Sequence, residues 1–456
     1  MIEIEPIEKG RIVLKDARPG IATAAHYRTV GEAQIVDMLL VAAFVYELQA
    51  GQRSSAIAAA KSALQTWVGL GLQFRFSDAG ERTFDPVEVV NFMKWAGFNS
   101  LDRFWTDHFV NTGRTFYREW NAAAAAEPSP TAPLEPARFT VNLRRSFDLS
   151  RFDRGQKLRL RLPLPLSCCS DDIEVSPVIS DELSARLTRS DGRLDFQLAA
   201  PDQPMVEVAA QISFTTDGRS RDSIEGTLPP DQIELYLRPS EGLIRVTPRV
   251  QALSHTLGGT GRSPLALVTA LWNYLIEELM CGMVHYDQVD AEAPGDWVLD
   301  TGWYDCQLGS SLLVAMCRAQ GIPARVMSGH MLYRLAPGFH YWAEVWIDGQ
   351  GWTPFDFLTW DLSHGGRDAA WRTAFVGRID YRMVTQCFPL AFTGPMSVRF
   401  PLAWHLLNAP SAEGMEIRFN ELDGQLIYCD HVTAEKHADP RGNSAAEIMI
   451  SAAHRL

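Results

Sequence analysis

The sequence predicts an α+β protein in which a helical segment and a β-rich segment precede a mixed core. Three observations carry this prediction. Residues 30–126 keep helical spacing of apolar side chains, residues 138–228 alternate apolar and polar residues in short runs, and residues 304–356 place a helix ahead of two strands. Hydrophobic residues make up 46% and charged residues 21% of the 456-residue chain, which is typical of folded proteins with more than one domain.

The first predicted domain spans residues 1–126 and is helical. An apolar stripe runs from Ile35 to Leu48. In the stretch "TFDPVEVV", Asp85 is the expected N-cap of a further helix and Pro86 its first residue. The stretch "SLDRFWTDHFVNTGRTFYREWNAAAAA" continues the helical spacing. This segment could form a dimer contact or dock a protein partner.

A linker and three further units follow in the predicted order. Residues 127–137 contain four prolines within "EPSPTAPLEP", which excludes a helix and predicts a stiff linker. Residues 138–235 form a β-rich, sandwich-like domain with runs such as "KLRLRLPLPL" and "VEVAAQISF". Residues 236–400 form the core, and residues 401–456 are expected to supply strands that complete or extend it, paired through the turn at 422–424.

Charge and motif content exclude several functional classes. The net charge of −13 argues against general binding to nucleic acid or to anionic membranes. No signal peptide is visible, and the longest apolar stretch, residues 38–46, is about half the length that spans a bilayer. We therefore expect a cytoplasmic protein. The chain has neither C-x-x-C, H-E-x-x-H nor a phosphate-binding glycine loop, so we expect no metal and no cofactor.

Cys306 stands at the head of a strongly helical run, "CQLGSSLLVAMCRAQGIPAR". At a helix start, the first backbone N–H groups and the positive end of the helix dipole favour the thiolate form of a cysteine. The helix should end at Gly321, because Pro323 follows it. Cys317 lies about 16 Å along the helix axis from Cys306, too far for a disulfide, and is expected in the core.

His340 and Asp356 lie on two consecutive predicted strands in "FHYWAEVWIDGQGWTPFD". In an antiparallel pair of strands, the residue numbers of any two facing residues add up to the same sum. Two even-numbered residues, one on each strand, therefore point to the same face only when that sum is even. A two-residue loop gives an odd sum, whereas a three-residue loop at 347–349 or 348–350 gives an even one. We therefore predict a three-residue loop with glycine in the left-handed conformation. Asp356 would then bind one imidazole nitrogen while the other addresses Cys306.

These stretches together resemble the transglutaminase-like superfamily of cysteine enzymes, which are related to papain-like proteases. The resemblance covers roughly residues 235–360 and includes "YLRPSEGLIRV", "LVTALWNYLIEELMCGMVHYD", "LLVAMCRAQGIPARVMSGH" and "HYWAEVWIDGQGWTPFD". It implies a papain/transglutaminase-like core in which a helix bearing Cys306 packs on an antiparallel sheet. Carried over by position, it implies Cys306 as nucleophile, His340 as base and Asp356 as the residue that orients the base.

The implied reaction is acyl transfer through a thioester on the cysteine. The acyl donor would be a peptide, an amide or a carrier-protein thioester, as in some natural-product pathways. An amine acceptor gives amide-bond formation, whereas a water acceptor makes the protein a peptidase or amidase, and the residues favour neither. A noncatalytic peptide-binding module is a third hypothesis, although all three catalytic-type residues are present.

Five further residues are candidates for the oxyanion site or the cleft. Trp303 could donate its indole N–H to an oxyanion, together with the backbone N–H of the cysteine. Tyr304 replaces a glycine common in the family and could narrow the approach to the sulfur. His330 is a rival base, Glu344 shares the face of the predicted base, and Trp342 is a candidate cleft wall. Each has a structural alternative, as a core side chain or a buried hydrogen-bond acceptor.

Overall fold

A computed structural model gives the arrangement of the chain. It describes residues 30–33, 35–36, 50–69, 72, 74–76, 79–84, 135–150, 152–179, 185–220, 227–281, 289–290, 292–332, 337–358, 369–388, 404–411, 414–421 and 428–437. The predicted helix cap at 85–88, the helical stretch at 100–126, most of the proline linker and the turn at 422–424 lie outside these residues.

The N-terminal part combines a helix with a small sheet. Its elements are β1 (Val30–Gly31), α1 (Ala50–Gly69), β2 (Phe74–Phe76) and β3 (Arg82–Phe84). The three strands pair in the order β1-β3-β2. The prediction of continuous helix from residue 30 is therefore wrong at 74–76 and 82–84, where "FRF" and "RTF" are paired strands, and Gly80 between them has a φ of 76°. Such a turn favours glycine.

This N-terminal part shares a core with the rest of the protein. Trp67, Leu64 and Phe84 are almost fully buried. They belong to one continuous hydrophobic cluster with residues of the later helices, including Trp272 and Leu313. Residues 1–126 were predicted as a separate domain, a division that stays a prediction.

The middle of the chain is β-rich, as the alternating runs predict. Its strands are β4 (Ala137–Asp148), β5 (Lys157–Pro163), β6 (Asp171–Ile179), β7 (Arg186–Ser190), β8 (Arg193–Ala199) and β9 (Met205–Thr216). Alternate residues of β4, β5, β8 and β9 are buried in a common cluster. Two sheets thus face each other across an apolar core, as in a sandwich.

The mixed core contains the following elements in chain order: α2 (Pro230–Tyr236), β10 (Ser240–Glu241), β11 (Ile244–Arg245), α3 (Pro248–Gly258), α4 (Pro264–Glu278), β12 (Met280–Cys281), α5 (Pro294–Thr301), β13 (Trp303–Tyr304), α6 (Cys306–Ala319), β14 (Ala324–Met331), β15 (Phe339–Ile347), β16 (Gly351–Phe355), α7 (Ala369–Ala374) and β17 (Arg382–Cys387). The last four strands form an antiparallel sheet in the order β16-β15-β14-β17. We call it the core sheet.

Helix α6 is buried on nearly all sides. Every residue from Gln307 to Arg318 is buried, because β15 and β14 contact one side of the helix while α3, α4 and α5 contact the others. The helix ends as predicted, with Gly321 at φ of 72° and its N–H bonded to the carbonyl of Arg318. Cys317 is fully buried, as expected of a core residue, and burial raises the pKa of its thiol.

The C-terminal strands are β18 (Trp404–Ser411), β19 (Gly414–Glu421) and β20 (Tyr428–Lys436). They were expected to complete or extend the core, and this expectation is wrong. β20 pairs with β4, so the strands extend the sandwich in a six-stranded sheet of order β18-β19-β20-β4-β9-β6. The reason is burial, since Val432 and Ala434 of β20 point into the sandwich cluster.

The hairpin of β15 and β16 has the predicted three-residue loop. Ile347 faces Gly351, which leaves residues 348–350 as the loop, and Gly349 has a left-handed φ of 79°. The facing positions therefore have an even sum. His340 and Asp356 consequently lie on the same face of the core sheet.

Within the described part of the chain, no helix has both the length and the apolar character needed to cross a membrane.

Gly329 tests how tightly the core sheet is packed. It lies opposite His340 on β15 and next to β17, and a Cβ atom there would lie 2.1 Å from the carbonyl oxygen of Met383. Because the close atoms are backbone atoms of the paired strand β17 and cannot easily move away, we expect Gly329→Ala to lower the free energy of unfolding by about 3 kcal/mol or more. Urea denaturation followed by circular dichroism measures this loss.

Gly69→Ala is the matched control, because its Cβ would meet nothing within 4 Å at the end of α1. That substitution should change stability by less than about 1 kcal/mol. Equal effects of the two substitutions would contradict the proposed packing at Gly329.

Candidate active site

Cys306 is the first residue of α6 and is half-buried. The preceding residue, Asp305, caps the helix: its carboxylate accepts the N–H of Gln307 at 3.1 Å and that of Leu308 at 2.8 Å. These bonds satisfy two of the N–H groups that a helix start leaves without partners. The cap fixes the helix start at the cysteine and so positions its sulfur.

His340 joins this cysteine to a carboxylate. Its Nε2 lies 2.7 Å from Oδ1 of Asp356, and Cys306 is near enough to raise the pKa of its ring. Burial lowers the pKa of His340, but the charges and hydrogen bonds of Asp356 and Cys306 outweigh burial and raise this pKa to about 10. A pKa raised in this way favours the protonated ring at neutral pH. With Nε2 bonded to the carboxylate, Nδ1 is the nitrogen that can address the sulfur.

Asp356 follows directly after β16 and is 1% exposed. Its Oδ1 also accepts the backbone N–H of Leu358 at 2.7 Å, and its Oδ2 accepts Nη2 of Arg382 at 2.7 Å. Burial raises the pKa of Asp356, but His340 and Arg382 outweigh it, so that the pKa falls below its usual value. Two cations and a backbone donor thus keep a buried carboxylate ionised.

Arg382 is a participant that the sequence reasoning did not find. It lies on β17, is 1% exposed, and pairs with Asp380 as well as with Asp356. Its guanidinium carbon lies 5.5 Å from the centre of the Trp342 ring. The available signal was a lone arginine in the apolar stretch "YRMVTQCF", because a charged residue is rarely buried in a strand without a partner.

Residues 251–357 match the family model of the transglutaminase-like superfamily. These residues form a transglutaminase-like domain. The matched segment contains Cys306, His340 and Asp356, whereas Arg382 lies beyond its end.

The chain is also similar to individual proteins. The protein-glutamine gamma-glutamyltransferase of Pseudomonas aeruginosa is 28% identical over 172 residues, which cover 35% of this chain and 26% of that protein. The match thus spans about a quarter of that relative's length. Similar solved structures include a candidate cysteine protease from Cytophaga hutchinsonii, with 15% identity, a TM-score of 0.43, and coverage of 67% of this chain and 92% of that chain. Another is the periplasmic domain of TgpA from Pseudomonas aeruginosa, with 20% identity, a TM-score of 0.29, and coverage of 54% and 94%.

Glu344 of the transglutaminase-like domain is held in a structural network. Its carboxylate is 2% exposed, pairs with Arg325 at 2.7 Å and accepts the Ser220 hydroxyl at 2.7 and 2.9 Å. Arg325 in turn stacks over the ring of Trp352 at 3.9 Å. Four residues along a strand separate Glu344 from His340 by about 13 Å. The structure therefore gives this carboxylate partners of its own, away from the cysteine.

The remaining candidates lie in the core or outside the described side chains. Trp342 is fully buried among Met327 and its neighbours, so it is no open cleft wall. Tyr304 is also fully buried, with its ring 5.1 Å from that of Phe357, and fills the core rather than the approach to the sulfur. The Trp303 side chain is among those that the structure does not describe.

His330 does not fit the role of a rival base. It is 1% exposed, and neither ring nitrogen has a hydrogen-bond partner among the described residues. Burial, followed by the nearby charge of Arg145, lowers its pKa to about 3. A histidine that stays neutral throughout the physiological range cannot take up and return a proton efficiently.

Removal of Arg382 should destabilise the protein strongly. Arg382→Met leaves Asp356 and Asp380 buried without their shared cation, and breaking a buried ion pair in this way costs about 3–5 kcal/mol. Urea denaturation measures the change in the free energy of unfolding. The control is Arg154→Met, because Arg154 and its partner Asp202 are 79% and 64% exposed. That change should cost less than about 1 kcal/mol, and a similarly small loss at Arg382 would contradict its assigned place.

Proposed function

We propose that this protein is a transglutaminase-like cysteine acyltransferase that forms a thioester on Cys306 and passes the acyl group to an amine. One observation supports this proposal above others. His340 is bonded to Asp356 through Nε2, and the nearby Asp356 and Cys306 raise the pKa of its ring, which favours the protonated form. An imidazolium between a carboxylate and a sulfur is the arrangement that activates a thiolate and protonates a leaving group.

The proposed reaction has two steps. The Cys306 thiolate attacks the carbonyl carbon of an amide, the carbon–nitrogen bond breaks, and His340 gives its proton to the departing amine or ammonia. In the second step, an incoming amine attacks the thioester, the thiolate leaves, and the amine's proton returns to His340. Asp356 holds the ring in one orientation throughout and stays ionised.

The backbone N–H of Cys306 is the proposed donor to the tetrahedral oxyanion. The capping carboxylate of Asp305 takes the N–H groups of Gln307 and Leu308. The backbone N–H of Cys306 donates no hydrogen bond to any of the described residues. Because the helix starts at Cys306, this N–H points toward the position of the oxyanion that forms when the sulfur attacks a carbonyl.

The proposed acyl donor is a protein glutamine side chain. The similar Pseudomonas aeruginosa protein is a protein-glutamine gamma-glutamyltransferase, which supports a glutamine donor and an amine acceptor here. A carrier-protein thioester is the other donor that we propose to test. Water as acceptor would make the protein an amidase or peptidase, and water access to the thioester decides between these outcomes.

Three further predictions concern the surroundings of this site. We predict that the protein needs no metal or cofactor and that it is cytoplasmic. We also predict that residues 1–126 dock a protein partner or form a dimer contact. Because buried side chains of the N-terminal part lie in the common core, deleting residues 1–126 would expose apolar surface. Substitutions on the exposed side of α1 are the better test of docking.

Intact-mass analysis tests the thioester directly. Incubation with a glutamine-containing peptide should add the mass of the peptide less ammonia to wild-type protein, and an added primary amine should remove it. A carrier-protein thioester probe tests the alternative donor in parallel. Cys306→Ala should form no adduct, because the proposed nucleophile is absent.

Cys429→Ser is the matched control for this experiment, since Cys429 is another partly buried thiol, on β20. It should form the adduct normally. An adduct that persists in Cys306→Ala would refute the proposed nucleophile, and no adduct with any donor would favour the binding-module hypothesis.

The pH dependence of kcat/KM tests the role of the imidazolium. His340 must carry a proton to protonate the leaving group, so kcat/KM should fall as pH rises through about 10 rather than near the ordinary histidine value of about 6.5. Asp356→Asn removes a charge that raises this pKa, and should move the alkaline decline to lower pH.

Asp195→Asn is the control for this pH profile, because Asp195 is a buried carboxylate that binds Arg161 in the sandwich. In this variant, kcat/KM should fall at the same alkaline pH as in the wild type. A wild-type decline near pH 6.5, or an unchanged decline in Asp356→Asn, would contradict the proposed proton donor.

A further inference from the structure

Cys168 and Cys169 form a pair of adjacent thiols that pack against residues of the core sheet. Their sulfur atoms lie 3.4 Å apart. Cys168 is partly exposed and Cys169 is fully buried. Both lie in a turn after β5 that is closed by the bond from the N–H of Cys169 to the carbonyl of Leu166 at 3.1 Å. The turn thus presents one reachable thiol and one sheltered thiol in contact.

The buried thiol is connected to the sheet that carries His340. Sγ of Cys169 lies 3.3 Å from Oγ of Ser220, which itself donates to both carboxylate oxygens of Glu344. Because the single hydroxyl hydrogen of Ser220 is directed at Glu344, the thiol of Cys169 is the donor to Ser220. Contact with Cys168, followed by burial, raises the pKa of Cys169 well above its usual value, which keeps that hydrogen in place.

A disulfide between adjacent cysteines is strained and therefore readily reduced. Neighbouring Cα atoms are about 3.8 Å apart, whereas disulfides usually join Cα atoms about 4.4–6.8 Å apart. Strained disulfides have more oxidising potentials and are the labile ones. Bonding would also bring the sulfurs from 3.4 Å to about 2.05 Å and remove the thiol hydrogen of Cys169. Ser220 would lose its donor, while the backbone of the turn stays anchored by the bond from Thr216 Oγ1 to the carbonyl of Cys169.

We propose that Cys168 and Cys169 are a reversible oxidation site for low-molecular-weight disulfides, and that its oxidation loosens the core sheet through Ser220 and Glu344. The Cys168 thiolate attacks the small disulfide and releases one thiol. The Cys169 thiol then attacks Sγ of Cys168 and its proton passes to the departing thiolate of the small molecule, which forms the protein disulfide and releases the second thiol. Two protein thiols are oxidised by two electrons, and the small disulfide is reduced to two thiols.

The first experiment uses the full-length Cys306→Ala protein, so that neither the proposed nucleophile nor its activity enters the result. After exposure to oxidised glutathione and alkylation of the remaining thiols, intact-mass and peptide analysis should show two fewer alkylated cysteines and a Cys168–Cys169 link. Dithiothreitol should reduce this disulfide and restore both alkylatable thiols. Adding Cys168→Ser should abolish the link, whereas adding Cys429→Ser should leave it unchanged.

The second experiment measures amide hydrogen exchange of β15 in the same protein. Oxidation should raise exchange around Glu344 about fivefold, corresponding to the loss of one net hydrogen bond. Adding Cys169→Ser keeps a hydroxyl donor to Ser220 and cannot form the disulfide, so exchange should not respond to oxidant. If the two cysteines stay fully alkylatable, or pair with other cysteines, the site is refuted. Unchanged exchange in the oxidised protein would refute its coupling to the sheet.

Discussion

The arrangement around Asp356 is the constraint on which the rest of the site depends. This carboxylate is almost fully removed from water, yet its pKa is lowered, because His340, Arg382 and the N–H of Leu358 all bind it. A buried carboxylate with fewer partners would take up a proton and lose its hold on the imidazole. Arg382 is therefore as much a part of the site as the histidine, although it lies on a different strand and beyond the segment that matches the family.

The scaffold places these groups through rigid elements rather than loops. Helix α6 is enclosed by the core sheet and three helices, so the position of Cys306 at its first turn is set by packing as well as by the Asp305 cap. The hairpin of β15 and β16 then sets His340 and Asp356 on one face. Sites built on helices and strands hold their geometry more closely than sites on loops.

Much of this could be predicted from the sequence, and the failures have physical causes. Alternation and loop parity predicted that His340 and Asp356 share a face, because both depend only on local spacing. Glu344 shares that face too, and nothing local reveals that Arg325 and Ser220 bind it. Arg382 was missed for a related reason: it comes from a distant strand, and only the order of strands in the core sheet brings it to Asp356. The C-terminal strands were predicted to join the core, whereas β20 pairs with β4 of the sandwich. Alternation shows that a strand has a buried face, but it does not show which sheet the strand joins.

Direct observation of the His340 ring tests the central claim. In protein labelled with ¹⁵N-histidine, the ring signal that disappears in His340→Gln identifies this residue, and its chemical shift reports its protonation. The Asp356 and Cys306 interactions predict an imidazolium that persists through neutral pH and titrates at about pH 10. A ring that is already neutral at pH 8, titrating near the ordinary histidine value of about 6.5, would contradict the account.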